Sequence, residues 1–166
     1  MPMDEENPRA REYQELLDRA AVSDVLIRFT CAIDSRDWGA YRSCFADSVQ
    51  IDYRSLIGGD VLSESGDAWT ERTRRSFSGF EITQHFTSNH VCELAGDRAT
   101  CRAYICAEHF IRAGGIQEFW TMGGIYDAEF ERGTTGWRMD VLKMTPCWSR
   151  GNERIFELAA KSAQDG

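Results

Sequence analysis

Residues 82–111 read ITQHFTSNHVCELAGDRATCRAYICAEHFI, and the way this stretch divides decides the fold. Gly96-Asp97 sits midway, and both flanks are rich in β-branched, aromatic and cysteine residues. That is the composition of two strands joined by a tight turn. The spacing predicts extended chain from Ile82 to Leu94 and from Arg98 to Ile111. Register matters here, because a slip of one residue turns every side chain to the other face. A two-residue loop at Gly96-Asp97 sets His85 opposite Glu108. A three-residue loop across Gly96-Asp97-Arg98 pairs Ala95 with Ala99 and sets His85 opposite His109, close enough for two rings to share one ligand. The second register is the expectation.

Working outward, Gly114-Gly115 turns the chain into a strand from Ile116 to Glu131, and Gly133 to Gly136 into another from Trp137 to Thr145. From about Asn152 a short helix carries Ile155, Phe156 and Leu158. Upstream, Leu16, Ala20, Ser23, Ile27 and Thr30 recur at steps of three or four, which predicts one helix from about Arg9 to Arg36. Asp34 continues that stripe. Asp37 is placed to cap a second helix from Trp38 to about Phe45. Val49 to Tyr53 alternates as a strand, Gly58-Gly59 breaks it, and Glu64 to Phe77 returns to helix. Residues 1–8 are expected to form a flexible tail and 9–166 a single domain. Helices followed by an antiparallel meander predict an α+β fold, with a curved sheet packed on N-terminal helices around a conical pocket.

Composition narrows the function. The 166 residues include 42% hydrophobic and 11% aromatic side chains, enough for one packed core. A net charge of −8 argues against a nucleic-acid partner, which needs clustered cations to neutralise phosphates. The cluster Arg72, Arg74 and Arg75 reads as a solvated helix face. The acidic start, Met1-Pro2-Met3-Asp4-Glu5-Glu6, is unlike a signal peptide, and no apolar run reaches membrane-spanning length. A soluble, cytoplasmic protein with no membrane partner is expected. Six cysteines without a C-x-x-C pair read as buried thiols, with Cys92 and Cys101 placed to face each other across the hairpin. His85 and His90 stand five apart on a strand and so should point to opposite faces, and no metal site is predicted.

The chemistry lies in four short strings. Ala32-Ile33-Asp34-Ser35-Arg36-Asp37-Trp38 carries a carboxylate on a helical stripe, costly to bury unless it is paired. Thr83-Gln84-His85-Phe86 and Glu108-His109 carry two of the three histidines, and Ile51-Asp52-Tyr53-Arg54-Ser55 carries a phenol at a strand end. In these strings the chain resembles scytalone dehydratase and, more loosely, the SnoaL-like group of small barrels with a helical lid. The resemblance implies a nuclear-transport-factor-2-like fold and small cyclic homo-oligomers, dimers or trimers. It implies cofactor-independent elimination of water from a cyclic, aromatic or polyketide-like hydroxy-ketone.

It maps Asp34 and His85 onto an acid–base dyad, Tyr53 onto a group that steadies developing negative charge, and His109 onto a substrate anchor. A carboxylate accepting from imidazole fixes the ring tautomer and supports the imidazolium. The departures concern the substrate-binding positions. Ile33 stands where the family has a second Tyr, and Gly124 and Tyr126 where it has Ser and Asn. Of two lid phenylalanines, Phe156 matches and Asn152 does not. The expected function is therefore a dehydratase on a small hydrophobic or aromatic molecule with a rebuilt pocket. Alternatives are an isomerase or cyclase using the same dyad, and a non-catalytic binding protein on the same fold.

Overall fold

The computed structural model describes residues 7–113 and 116–165. In chain order it contains α1 (Pro8–Ser35), α2 (Trp38–Ser43), β1 (Phe45–Asp52), α3 (Arg54–Ile57), β2 (Leu62–Ser65) and α4 (Gly66–Phe77). There follow β3 (Ile82–Ala95), β4 (Arg98–Ala113), β5 (Ile116–Gly133), β6 (Gly136–Gly151) and α5 (Ile155–Asp165). The expected turn at Gly114-Gly115 and most of the expected N-terminal tail lie outside the described residues. The short α3 and β2 are absent from the sequence reading. Both lie next to the Gly58-Gly59 break, in segments too short for periodicity to register.

The strands form one curved, unclosed sheet in the order β2-β1-β6-β5-β4-β3. The meander from β3 to β6 is antiparallel, as expected, whereas β1 joins β6 in parallel. Alternation is strict along β4, where Ala99, Cys101, Ala103, Ile105, Ala107, His109 and Ile111 are all buried. Several of these inward residues are small, which leaves a hollow over the middle of the sheet. α1 lies across β3 and also touches β4 and β6, while α4 and α5 cover the other parts of the concave face.

The helical stripe is displaced from its expected place. α1 buries Val22, Val25, Leu26, Phe29, Thr30, Ala32 and Ile33, while Leu16 is 65% and Ile27 43% exposed. Two apolar rows run along this helix at similar spacing, and periodicity alone does not say which one faces the sheet. The polar residue Asp18 resolves the choice. It is buried, and it accepts hydrogen bonds from the Arg132 guanidinium at 2.8 and 2.5 Å and from Trp137 Nε1 at 3.2 Å. This contact pins the start of α1 to the β5–β6 hairpin and fixes the rotation of the helix.

The β3–β4 register also departs from expectation. Ala95 pairs with Arg98, so the turn has two residues, with Gly96 at φ +63 taking the left-handed position that such a turn requires first. A bulge between Ser88 and Val91 then shifts the ladder, with Asn89 at φ +56, and His85 comes to lie opposite Ala107. The expected partner, His109, instead faces Thr83. His109 is two residues from Ala107, so both imidazoles still share one face. The same bulge overturns the parity argument for His90, whose Nδ1 lies 2.6 Å from Ser23 Oγ on α1, on the side that also receives His85. Of the cysteines, Cys44, Cys92 and Cys101 are buried as expected, but Cys31 and Cys147 are exposed. Cys92 and Cys101 do face each other, as free thiols.

Candidate active site

The hollow between sheet and helices is a cavity of about 420 Å³, within the roughly 300–1,000 Å³ typical of small-molecule sites. His85 reaches it from the first residues of β3, and Asp34, on the last turn of α1, stands behind that ring. His85 Nδ1 is 2.6 Å from Asp34 Oδ1, and the backbone N–H of His85 donates to Asp34 Oδ2 at 2.7 Å. β3 is an edge strand, so its outward N–H groups have no ladder partner. Asp34 satisfies one of them while holding the ring. The imidazole side chain is 7% exposed and the carboxylate 20%. With Nδ1 engaged, Nε2 is the nitrogen left for a ligand.

His109 is 2% exposed, and its ring centroid lies 5.3 Å from that of His85. Burial first, and the neighbouring His85 charge second, push its pKa down to about 3. It is therefore a neutral imidazole in any ordinary buffer, able to share a hydrogen bond but not to supply a cation.

Tyr53 follows β1 and Tyr126 lies mid-β5, and both rings line the cavity. Burial pushes Tyr126 up to about 12 and Tyr53 well above the usual phenol value; the interaction between the two hydroxyls adds to the rise at Tyr53 and opposes it at Tyr126. Both remain protonated donors. Ile33, where the resemblance implied a second Tyr, contributes only an apolar surface, while Tyr126 of β5 and Tyr41 of α2 line the cavity beside Tyr53. Phe156 of α5 closes the cavity over His109, with ring centroids 5.2 Å apart.

Asp34, His85, Tyr53, His109, Ile33, Tyr126 and Phe156 are thus brought together, six of them as cavity lining and Asp34 directly behind His85. Two further positions singled out by the resemblance are not. A side chain at Gly124 would sit 2.5 Å from the Thr145 carbonyl oxygen, so close strand approach excludes a serine there without backbone movement. Asn152 anchors the entry to α5, donating to Glu118 at 3.1 Å and accepting from Arg154 N at 3.0 Å.

Sequence reasoning missed Trp69, Thr73 and Phe77, which α4 presents to the cavity at i, i+4 and i+8, and Trp120, the cross-strand partner of His109. The helical spacing on α4 was a readable signal. For Trp120 the signal was the β4–β5 register, which pairs it with His109. Arg72 also reaches the mouth of the cavity, but its guanidinium is engaged by both Glu64 oxygens at 3.0 Å each. No helix among the described residues is long and apolar enough to cross a membrane.

Comparison with known proteins agrees with this architecture. The uncharacterized protein Rv2910c of Mycobacterium tuberculosis is 29% identical over 82% of this chain and 90% of its own length. The Kfla4162 protein of Kribbella flavida superposes with a TM-score of 0.81 at 27% identity, covering 86% of this chain and 99% of that one. Two more distant structures share the fold. A candidate scytalone dehydratase of Novosphingobium aromaticivorans has a TM-score of 0.72 at 14% identity, over 83% and 89% of the two chains. A hexachlorocyclohexane dehydrochlorinase, LinA type 2, has a TM-score of 0.73 at 16% identity, over 85% and 93%. The pattern of the SnoaL-like domain matches residues 14–143, most of the chain. With its helix-braced, unclosed sheet and its cavity between sheet and helices, this chain belongs to the SnoaL-like family, on the nuclear-transport-factor-2-like fold.

Proposed function

We propose that the protein is a cofactor-independent dehydratase that removes water from a neutral cyclic hydroxy-ketone, aromatic or polyketide-like in character. The observation that carries this reading is the 2.6 Å contact between His85 Nδ1 and Asp34 Oδ1, directly behind an apolar cavity that His85 itself lines. A carboxylate so engaged keeps the proton on Nδ1 and leaves Nε2 as the base.

In this scheme Nε2 takes a proton from the carbon next to the carbonyl, and the carbon's electron pair moves to the carbonyl oxygen as an enolate. Tyr53 and Tyr126 donate to that oxygen, where charge develops. The enolate then re-forms its carbonyl as the carbon–oxygen bond at the next carbon breaks. The imidazolium returns its proton to the departing hydroxyl, which leaves as water. One base serves both steps, so the elimination is syn. His109 steadies the substrate as a neutral partner. Among the described residues the one cation at the cavity, Arg72, is committed to Glu64, and this favours a neutral substrate over a carboxylate.

The probe 3-hydroxy-1-tetralone suits this scheme, because loss of water gives fluorescent 1-naphthol. Turnover by the native protein without added metal or nucleotide is expected. His85→Ala should lower it by about a hundredfold to ten-thousandfold, since general acid–base catalysis contributes typically 10²–10⁴-fold. Undiminished turnover in that variant would refute the role given to His85. Proton abstraction is also the first step of isomerisation and of hydrogen-halide elimination, the reaction in the name of the LinA relative. Product analysis for water loss separates these outcomes. A purely binding role instead predicts tight ligand retention and no turnover by the native protein.

A further inference from the structure

Behind the acid–base pair lies a second layer that the reaction scheme does not use. Thr83 Oγ1 donates to Asp34 Oδ1 at 2.9 Å, and Arg36 Nη1 donates to Thr83 Oγ1 at 2.8 Å. The direction of this chain is forced. A guanidinium has only donors, so the threonine hydroxyl must accept from it and can spend its single proton only on the carboxylate. Asp34 therefore receives three donors: the Thr83 hydroxyl and the His85 ring on Oδ1, and the His85 backbone N–H on Oδ2. Thr83 and His85 are two residues apart on β3 and so point to the same side, which lets one carboxylate meet both.

Arg36 is placed with equal care. It ends α1 at φ +60, one of two non-glycine residues with positive φ among the described residues, and a left-handed conformation costs an L-residue on the order of 1–2 kcal/mol. Such outliers persist where the surroundings hold them. Here the guanidinium also donates to Ile33 O at 2.5 Å and lies 5.7 Å from the ring centroid of the cavity residue Phe77. Thr83 is 6% exposed, so the middle of the relay is shielded from water, while Asp34 and Arg36 on either side are partly buried.

We propose that Arg36 and Thr83 are positioning residues that act through Asp34, forming a directed relay that locks the carboxylate in one rotamer and thereby fixes His85 as the Nδ1–H tautomer. This rests on the proposed acid–base role of His85 but is read out separately from it. Without the relay, Asp34 is free to rotate away and the imidazole samples both tautomers, so fewer molecules present a basic Nε2.

The test uses the full chain with ¹⁵N-labelled histidine. The His85 ring resonances of the native protein should report one tautomer at a pH where the ring is neutral. Thr83→Val, which keeps shape and removes the hydroxyl, should give averaged shifts from a tautomer mixture. Arg36→Gly should do the same, and glycine tolerates φ +60, so folding is spared. Thr83→Ser and Arg36→Lys should restore much of the native signature. In turnover of 3-hydroxy-1-tetralone, Thr83→Val should lower kcat on the order of tenfold, as expected for one lost hydrogen bond to a charged group, with KM nearly unchanged. Native-like His85 shifts in both Thr83→Val and Arg36→Gly would overturn the relay. If those shifts move as expected while the native protein turns over no hydroxy-ketone, the relay stands and the dehydratase reading falls.

Discussion

The cavity has two walls of different construction. At the end of α1 and the start of β3, His85 lines the cavity and is backed by a hydrogen-bonded polar layer running Asp34, Thr83, Arg36. The wall formed by α2, β1, α4, β5 and α5 is aromatic, with Tyr41, Tyr53, Trp69, Trp120, Tyr126 and Phe156. Rings 5–6 Å apart pack this second wall, as between Tyr53 and Trp69 at 5.8 Å and Trp120 and Phe156 at 5.9 Å. A hydrogen-bonded wall fixes angles and protonation states, whereas an aromatic wall fixes shape. Chemistry is therefore assigned to the first and selection of the molecule to the second.

That division is open to attack in order of effect. Asp34→Asn keeps the shape of the polar wall but can hold the wrong tautomer, so kcat should fall on the order of a thousandfold with little change in KM. A large rise in KM instead would place Asp34 in binding. Tyr53→Phe and Tyr126→Phe sharpen the comparison, because they lie on the aromatic wall yet are assigned to the enolate. Each should lower kcat by about a hundredfold, the cost of removing one donor to a developing oxyanion. If only KM responds, the phenols belong with the shape-setting rings. Phe156→Ala should do the converse, raising KM about tenfold with kcat nearly unchanged, from lost apolar contact.

The smallest effect concerns stability. His109 is held neutral, with its folded pKa at about 3 against an ordinary value of about 6.5. The unfolded chain then binds the proton more readily. The contribution of this group is fully present above about pH 6.5 and is lost as pH falls through that range toward 3. The urea midpoint of the native protein should therefore drop between pH 6.5 and 4, and His109→Gln should show a shallower drop. Equal slopes would contradict the depressed value.

The two walls also differ in how far the sequence discloses them. Asp34 and His85 are carried by strings only a few residues long, and the family resemblance in those strings, rather than residue type alone, brought them forward. The aromatic wall is assembled from several elements; the spacing of Trp69, Thr73 and Phe77 on α4 marked one shared face, but Trp120 could be found only once β4 and β5 were set against each other. Register was the weakest inference. The turn at Gly96-Asp97 has two residues, and the bulge at Asn89 supplies the compensating shift, so the shared face of His85 and His109 was reached from a wrong pairing. A bulge adds one residue without changing composition, which is why alternation did not reveal it. The rotation of α1 failed for a related reason. Its two apolar rows are similar in sequence, and the deciding contact, Asp18 with Arg132, spans the length of the domain.

The central claim is that His85, braced by Asp34, removes a proton next to a carbonyl held in this cavity. Deuterium incorporation from D₂O into 1-tetralone tests it most directly, because that ketone has the proton but no hydroxyl to lose and so stops at the enolate. The native protein should catalyse exchange at the carbon next to the carbonyl, and His85→Ala should fall to the uncatalysed rate. Exchange by the variant at the native rate, or none by the native protein although the ketone is bound, would contradict the account.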